Sequence, residues 1–189
     1  MNHQGTAVLN TGRLILRPFS PADVDAAYRN WCSDEEVTRF LTWPAHADRT
    51  VTEKVIGDWV SRYGDPAFYQ WVIVLKPLGE PIGSIAVVSL NDDLDIAHVG
   101  YCMGRRWWHR GIMSEAFGAV IAFLFEQVGA NRIEARHDPD NPHSGGVMRK
   151  CGLIYEGRLR QADRNNRGIV DVCMYSLLRS EYKSDRKAP

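Results

Sequence analysis

The sequence predicts a single α/β domain built on a mixed central sheet of about seven strands, with helices on both faces. Three observations predict it. Runs rich in β-branched and aromatic residues alternate with stretches whose apolar residues recur at helical spacing. Cap residues stand where the pattern switches. The order is a strand, helices, three strands, a helix, a strand, a helix and two strands, which is an antiparallel meander feeding a βαβ unit. The domain is expected over residues 1–182, followed by a polar tail over 183–189 that is expected to fray.

The elements follow in order. Arg13 to Arg17 (Arg-Leu-Ile-Leu-Arg) reads as the first strand. Ser20-Pro21 starts a helix, with Ser as N-cap and Pro at the first helical position, ahead of Val24, Ala27, Tyr28 and Trp31. Ser33 with Glu36 reads as a capping box for a short helix, and Thr50 with Glu53 as another. Thr42 to His46 lies between them as a loop. Tyr69 to Leu75 and Ile82 to Leu90 read as strands separated by a turn at Lys76 to Pro81, and Ile96 to Met103 as the next strand. A helix from about Gly111 to Val128 ends on Gly129, a good C-cap. Asn131 to His137 is a strand, and Asn141-Pro142 opens a helix that stops before Gly152. Leu153 to Gln161 and Ile169 to Leu178 form a final hairpin joined by Asp163 to Gly168. The alternation Val170, Val172, Met174, Ser176, Leu178 is expected to turn one face inward.

Composition narrows the function classes. The chain has 189 residues, 44% hydrophobic and 24% charged, which suits a globular protein able to bury a full core. Its 23 Lys plus Arg balance 23 Asp plus Glu, so no general attraction to nucleic acid or to an anionic membrane is expected. Cys32, Cys102, Cys151 and Cys173 form no C-x-x-C pair, so they are expected as free, mostly buried thiols. Met1 to Thr6 has no basic patch followed by an apolar core, and the longest apolar run, Ala116 to Phe125, is too short to span a bilayer. A cytoplasmic location is the expectation.

Two segments carry chemistry. Trp107 to Ala116 lies between a strand and a helix, and a helix N-terminus offers unpaired N–H groups and a partial positive charge to an anion such as a pyrophosphate. Gly111 lets backbone approach such a group closely. The segment is neither a Walker A loop nor a dinucleotide fingerprint, and alone it reads as an ordinary strand-to-helix connection. Asp138 to Ser144 is the second. Asn141 as N-cap and Pro142 at the first helical position are explained structurally. A calcium loop is excluded, because His143 stands where Gly is required and Arg149 where Glu is required. No metal site is expected, His137 and His143 notwithstanding.

Read together, Gly12-Arg13-Leu14-Ile15-Leu16-Arg17-Pro18, His98-Val99-Gly100-Tyr101, Arg110-Gly111-Ile112-Met113-Ser114-Glu115-Ala116, Asn141-x-x-Ser144 and Lys150-Cys151-Gly152 resemble the GNAT N-acetyltransferases. Within them they resemble the branch that acetylates ribosomal-protein N-termini, the RimJ/RimL type. The resemblance runs to Tyr175-Ser176-Leu177-Leu178, nearly the whole chain. It implies acetyl-coenzyme A as co-substrate and an amine as acceptor: a protein N-terminus, polyamine, amino sugar or amino acid. It also implies a homodimer as a possible assembly.

The resemblance implies roles. Backbone groups of Tyr101, Cys102 and Met103 would pair with pantetheine in a gap between strands. The amides of His109, Arg110, Gly111, Ile112, Met113 and Ser114 would hold the pyrophosphate. Asn141 would bond the pantetheine arm, and Lys150 is either a contact to the adenosine or 3′-phosphate or a solvated lysine. An amide near Met103 would stabilise the oxyanion. Many relatives place a Tyr seven residues after the Asn; here that position is Met148, and Ser144 becomes the expected acid for the leaving thiolate. Asp163 and His98 are alternative bases, with Glu156 a third. Trp31, Phe40 and Trp43 would be possible acceptor contacts. The competing expectation is a coenzyme A-binding module or sensor without transfer activity.

Overall fold

The structure is a computed structural model and describes residues 1–182, so the expected tail over 183–189 lies outside the described residues. Among the described residues the sheet has eight strands: β1 (Leu9–Asn10), β2 (Leu14–Pro18), β3 (Gln70–Leu75), β4 (Glu80–Asn91), β5 (Ile96–Met103), β6 (Arg132–His137), β7 (Ile154–Asn165) and β8 (Gly168–Leu178). Their spatial order is β1-β2-β3-β4-β5-β6-β8-β7. Every neighbouring pair is antiparallel except β5 and β6. The strand beyond the expected seven is β1, two residues paired to Leu16 and Ile15.

Helices cover both faces. α1 (Val24–Ala27) runs on as a wider turn over Tyr28–Cys32; α2 (Glu35–Thr38) is one turn, and α3 (Arg49–Arg62) is the longest of the three. They pack on one face around Phe19, Val24, Ala27, Trp31, Ile56, Val72 and Val74. α4 (Ile112–Phe123), continued over Leu124–Val128, and α5 (Pro142–Lys150) cover the other face. That core gathers Trp71, Ile73, Ile85, Val99, Phe117, Val120, Ile133 and Leu177. β3 therefore feeds two cores: Trp71 and Ile73 point one way, Val72 and Val74 the other, which is why its sequence is continuously apolar. α4 is buried on nearly every side, so it lacks an amphipathic stripe; Gly129, left-handed at φ 80°, closes it as expected.

Four local expectations are corrected. The N-caps of α2 and α3 are Asp34 and Asp48, whose carboxylates accept from Glu36 and Val37 and from Thr50 and Val51. A carboxylate at a helix N-terminus gains from the dipole as well as the hydrogen bond, so it outcompetes the neighbouring hydroxyl. The final hairpin is longer than expected: Asp163 stands inside β7 opposite Val170, and the turn shrinks to Asn166 and Arg167. Finally, the β8 residues that enter the main core are Tyr175 and Leu177, not the Val170-to-Leu178 set, whose Val172 and Ser176 are buried on the opposite face. The four thiols are free, Cys32 buried and the other three half-buried. Among the described residues no helix is long and apolar enough to cross a membrane.

Candidate functional site

The parallel pair β5 and β6 makes the site by coming apart. They are in register only at Ile96–Arg132, Ala97–Ile133 and His98–Glu134. Beyond His98, among the described residues, β5 keeps β4 as neighbour while β6 keeps only β8. Gly104 N–H donates to the Ile82 carbonyl. Antiparallel alternation then turns the backbone groups of Cys102 and Gly100 toward β4 as well. It leaves those of Tyr101 and Met103 facing the gap. The Met103 carbonyl is already taken there by the Trp108 indole N–H at 2.7 Å. Its amide remains as a donor into the gap.

A cleft of about 390 Å³ follows this gap. One end is the loop from Trp108 to Ser114. His109 (φ 60°) and Gly111 (φ 69°) are both left-handed, and the bend they produce brings the first amides of α4 to the cleft. Those amides have no partner within the helix, so the end is built for an anion. Two cations flank it. A Cβ on Gly111 would sit 3.7 Å from Lys150 Nζ and 3.8 Å from an Arg13 guanidinium nitrogen. Arg13 is held by Glu115, a carboxylate 4% exposed in α4. Glu115 accepts from Arg13 Nε at 2.6 Å, Arg13 N at 2.9 Å and Thr11 Oγ1 at 2.5 Å. A second guanidinium nitrogen of Arg13 donates to the Arg110 carbonyl at 3.0 Å.

The middle of the cleft is bounded by α5. Asn141 caps it, its Oδ1 accepting from Ser144 N at 3.4 Å. Ser144 faces the cleft, and Tyr101 Oη lies 3.0 Å from both its Oγ and its carbonyl oxygen. The His109 and His143 rings meet edge to face across the cleft, centroids 4.6 Å apart. α5 can lie so close to the sheet because residue 145 is Gly: a Cβ there would meet His137 Nε2 at 2.5 Å.

The far end is walled by Glu36, Val37, Phe40 and Leu41. The β7–β8 turn fastens this wall. The Asn166 side-chain amide donates to the carbonyls of Thr38 (2.8 Å) and Trp43 (2.7 Å), and its backbone N–H to that of Leu41 at 3.1 Å. Of the three expected aromatic contacts only Phe40 reaches the cleft. Trp31 is 1% exposed in the second core, and Trp43 packs against that core.

The two expected bases sit together, off the cleft wall, on the sheet face toward α1–α3. His98 is buried, with Nδ1 3.5 Å from Glu134 Oε1, the outer edge of hydrogen-bond range. Burial, and then the Arg136 charge, push its pKa below 6.5 against the pull of Glu134 and Asp163. The imidazole is therefore neutral at pH 7 and able to accept a proton. Asp163 has both oxygens engaged, one by Arg136 Nε at 3.0 Å and one by Arg164 N at 2.8 Å. Hydrogen bonds from Arg132 and Ser176 hold Glu156 down to about 2, a poor base.

The structure thus brings Tyr101, Cys102, Met103, His109 to Ser114, Asn141, Ser144 and Lys150 to one cleft. It groups His98 and Asp163 beside that cleft rather than in its wall. Sequence reasoning missed Glu134, the Tyr101 hydroxyl and the Arg13–Glu115 brace; of the α2 wall it named Phe40 alone. Glu134 had a signal, standing opposite His98 on the adjacent strand. The others join residues more than forty positions apart.

Comparison with known proteins matches this architecture. Residues 13–154 match the family model described as an acetyltransferase (GNAT) domain. The chain is 30% identical over 174 residues to the uncharacterized N-acetyltransferase p20 of Bacillus licheniformis, covering 92% of this chain and 97% of that protein. It is 31% identical over 99 residues to the ribosomal-protein-serine acetyltransferase of Escherichia coli, 52% of this chain and 55% of that protein. Among solved structures, the ribosomal L7/L12 α-N-protein acetyltransferase RimL in complex with coenzyme A superposes with a TM-score of 0.81 at 20% identity, covering 91% of this chain and 98% of that one. The chain belongs to the GNAT family of N-acetyltransferases.

Proposed function

We propose that this single-domain protein transfers an acetyl group from acetyl-coenzyme A to a primary amine, and that the amine is a protein N-terminus. The observation that carries the reading is the gap beyond His98 and Glu134, which continues into the anion-binding loop at His109 to Ser114. A thioester on a flexible arm with a pyrophosphate behind it fits that shape. The pyrophosphate takes the α4 amides between Lys150 and Arg13, and the arm runs past the amides of Tyr101 and Met103. The ribosomal-protein acetyltransferases among its relatives support a peptide acceptor, entering along Glu36, Phe40 and Leu41.

The amine nitrogen attacks the thioester carbonyl carbon. Neutral His98, steadied by Glu134, takes the amine proton through one water. Asp163, with its oxygens on Arg136 and Arg164, tunes this base rather than replacing it. The Met103 N–H receives the developing oxyanion. The carbon–sulfur bond breaks, its electron pair goes to sulfur, and Ser144 supplies the proton.

The test is turnover of the full chain with acetyl-coenzyme A and an acceptor panel: peptides beginning with Ser or Ala, a polyamine, an amino sugar and an amino acid. Thiol release and a product heavier by one acetyl group are read together. Acetylation of a peptide at its α-amine is the expected result. Acetylation of the small amines alone would overturn the peptide assignment. Binding of acetyl-coenzyme A without transfer to any amine would instead identify a binding module.

A further inference from the structure

We propose that Tyr101 is a positioning residue for proton delivery, its phenol donating to Ser144 Oγ so that the serine proton points at the departing sulfur. The inference rests on the acid role given to Ser144 above. The contact joins β5 to the first turn of α5, and nothing local in the sequence announces it.

Three observations carry it. The Tyr101 ring packs on Phe117 with centroids 5.6 Å apart, a contact that favours the rotamer placing the phenol beside α5. Its oxygen lies 3.0 Å from Ser144 Oγ and 3.0 Å from the Ser144 carbonyl, and both residues line the cleft. Met148, one helical turn after Ser144, is 1% exposed in the core, so no second hydroxyl comes from that turn.

Each hydroxyl has one proton, and the two arrangements differ in function. If the phenol donates to the Ser144 carbonyl, the serine donates back to the phenol oxygen and its proton turns away from the cleft. If the phenol donates to Oγ, the serine proton is free to face the cleft. Ser144 lies within α5 (Pro142–Lys150), where helix geometry aims the Met148 N–H at its carbonyl, so the second arrangement leaves no polar group bare. Burial pushes the Tyr101 pKa well above its ordinary value of 10, so the phenol stays a donor throughout.

The transfer balances as follows. The amine nitrogen bonds to the acetyl carbon, and its proton leaves through water to His98. The carbon–sulfur pair goes to sulfur, which takes the Ser144 Oγ proton and departs as the thiol. The charge developing on Oγ is held by the Tyr101 O–H. His98 returns its proton to solvent, and the serine regains one from solvent after release.

The test is a kinetic double-mutant cycle of Tyr101→Phe and Ser144→Ala. It uses acetyl-coenzyme A with the fastest acceptor of the panel, or its hydrolysis by water if no amine is faster. Tyr101→Phe should lower kcat about tenfold, the usual scale for one hydrogen bond to developing charge. It should leave the KM for acetyl-coenzyme A within about twofold, because the ring and its packing remain. The double variant should be no slower than Ser144→Ala alone. A rise in melting temperature with acetyl-coenzyme A checks that each variant is folded, and Tyr101→Trp, which restores a donor N–H on an aromatic body, is the second probe should Phe fail that check: it should exceed Tyr101→Leu in kcat. If Ser144→Ala is slow while Tyr101→Phe keeps the parent kcat, the positioning role falls and the acid role stands. If Ser144→Ala keeps the parent kcat, both fall. A loss from Tyr101→Phe that persists undiminished in Ser144→Ala also overturns the proposal.

Discussion

Replacing Glu115 by Ala should loosen the anion-binding loop from behind. Glu115 is 4% exposed and accepts three hydrogen bonds that tie the β1–β2 turn to α4: one from the Thr11 hydroxyl, two from Arg13. Removing the carboxylate leaves the hydroxyl and the Arg13 amide without their acceptor, about 1 kcal/mol each. The Arg13 side chain is 44% exposed. Its share is therefore discounted for screening to about 1 kcal/mol. The sum, about 3 kcal/mol, corresponds to roughly 6–12 °C in melting temperature for a chain of this size. The pH dependence gives a second reading. Burial would raise the Glu115 pKa, but the Thr11 hydroxyl and the Arg13 amide and guanidinium outweigh it and hold it below 4.5. A carboxylate depressed in the folded state stabilises above its unfolded pKa, and that stability is lost as pH falls through the folded value. The gap between parent and Glu115→Ala should thus be full at pH 7 and narrow below about pH 4. Thermal melting monitored by circular dichroism at both pH values is the assay. The KM for acetyl-coenzyme A should rise as well, since Arg13 also holds the Arg110 carbonyl. A melting temperature within about 2 °C of the parent at pH 7 would refute the brace.

Three further outcomes are expected. Gly145→Ala places a Cβ 2.5 Å from His137 Nε2, and that ring is fixed by its Nδ1 bond to the Asp138 carbonyl at 2.8 Å. Overpacking of this kind costs about 1–3 kcal/mol; urea unfolding should read it, and kcat should fall as the first turn of α5 lifts Ser144. The acid limb of kcat/KM should fall with a midpoint below 6.5, because burial and Arg136 depress His98. Rate is lost as pH drops through that pKa and the base becomes protonated, and Arg136→Gln should move the limb to higher pH. Asn166→Ala removes two hydrogen bonds that fasten the α2 wall, so the KM for the acceptor should rise several-fold with that for acetyl-coenzyme A unchanged, in steady-state kinetics.

Most elements were legible because their signals are local. Asn141-Pro142 announces the start of α5, and Gly129 its counterpart at the end of α4, since capping depends on a few adjacent residues. The mistaken N-caps of α2 and α3 came from reading hydroxyls where a carboxylate stood one or two residues away. The inward face of β8 was misread because Val170, Val172 and Met174 are as apolar as the residues facing the core, and alternation cannot say which side a helix will cover. At the site, the residues that act through backbone were found from the loop at His109 to Ser114 and the end of β5. Side chains that converge from distant segments were not: Arg13 meets Glu115 across 102 positions, and Tyr101 meets Ser144 across 43. Such contacts depend on strand order and helix placement, which no local pattern encodes.

The central claim is that acetyl-coenzyme A lies in the gap between β5 and β6 with its pyrophosphate on the α4 amides. Isothermal titration of acetyl-coenzyme A into the parent and into Gly111→Val tests it most directly. Gly111 is left-handed and lies between Lys150 and Arg13, so a branched side chain there both strains the loop and fills the anion's place. One-site binding to the parent and at least a tenfold weaker affinity for the variant, with the fold retained, are expected. No binding to the parent, or equal binding to both, would contradict it.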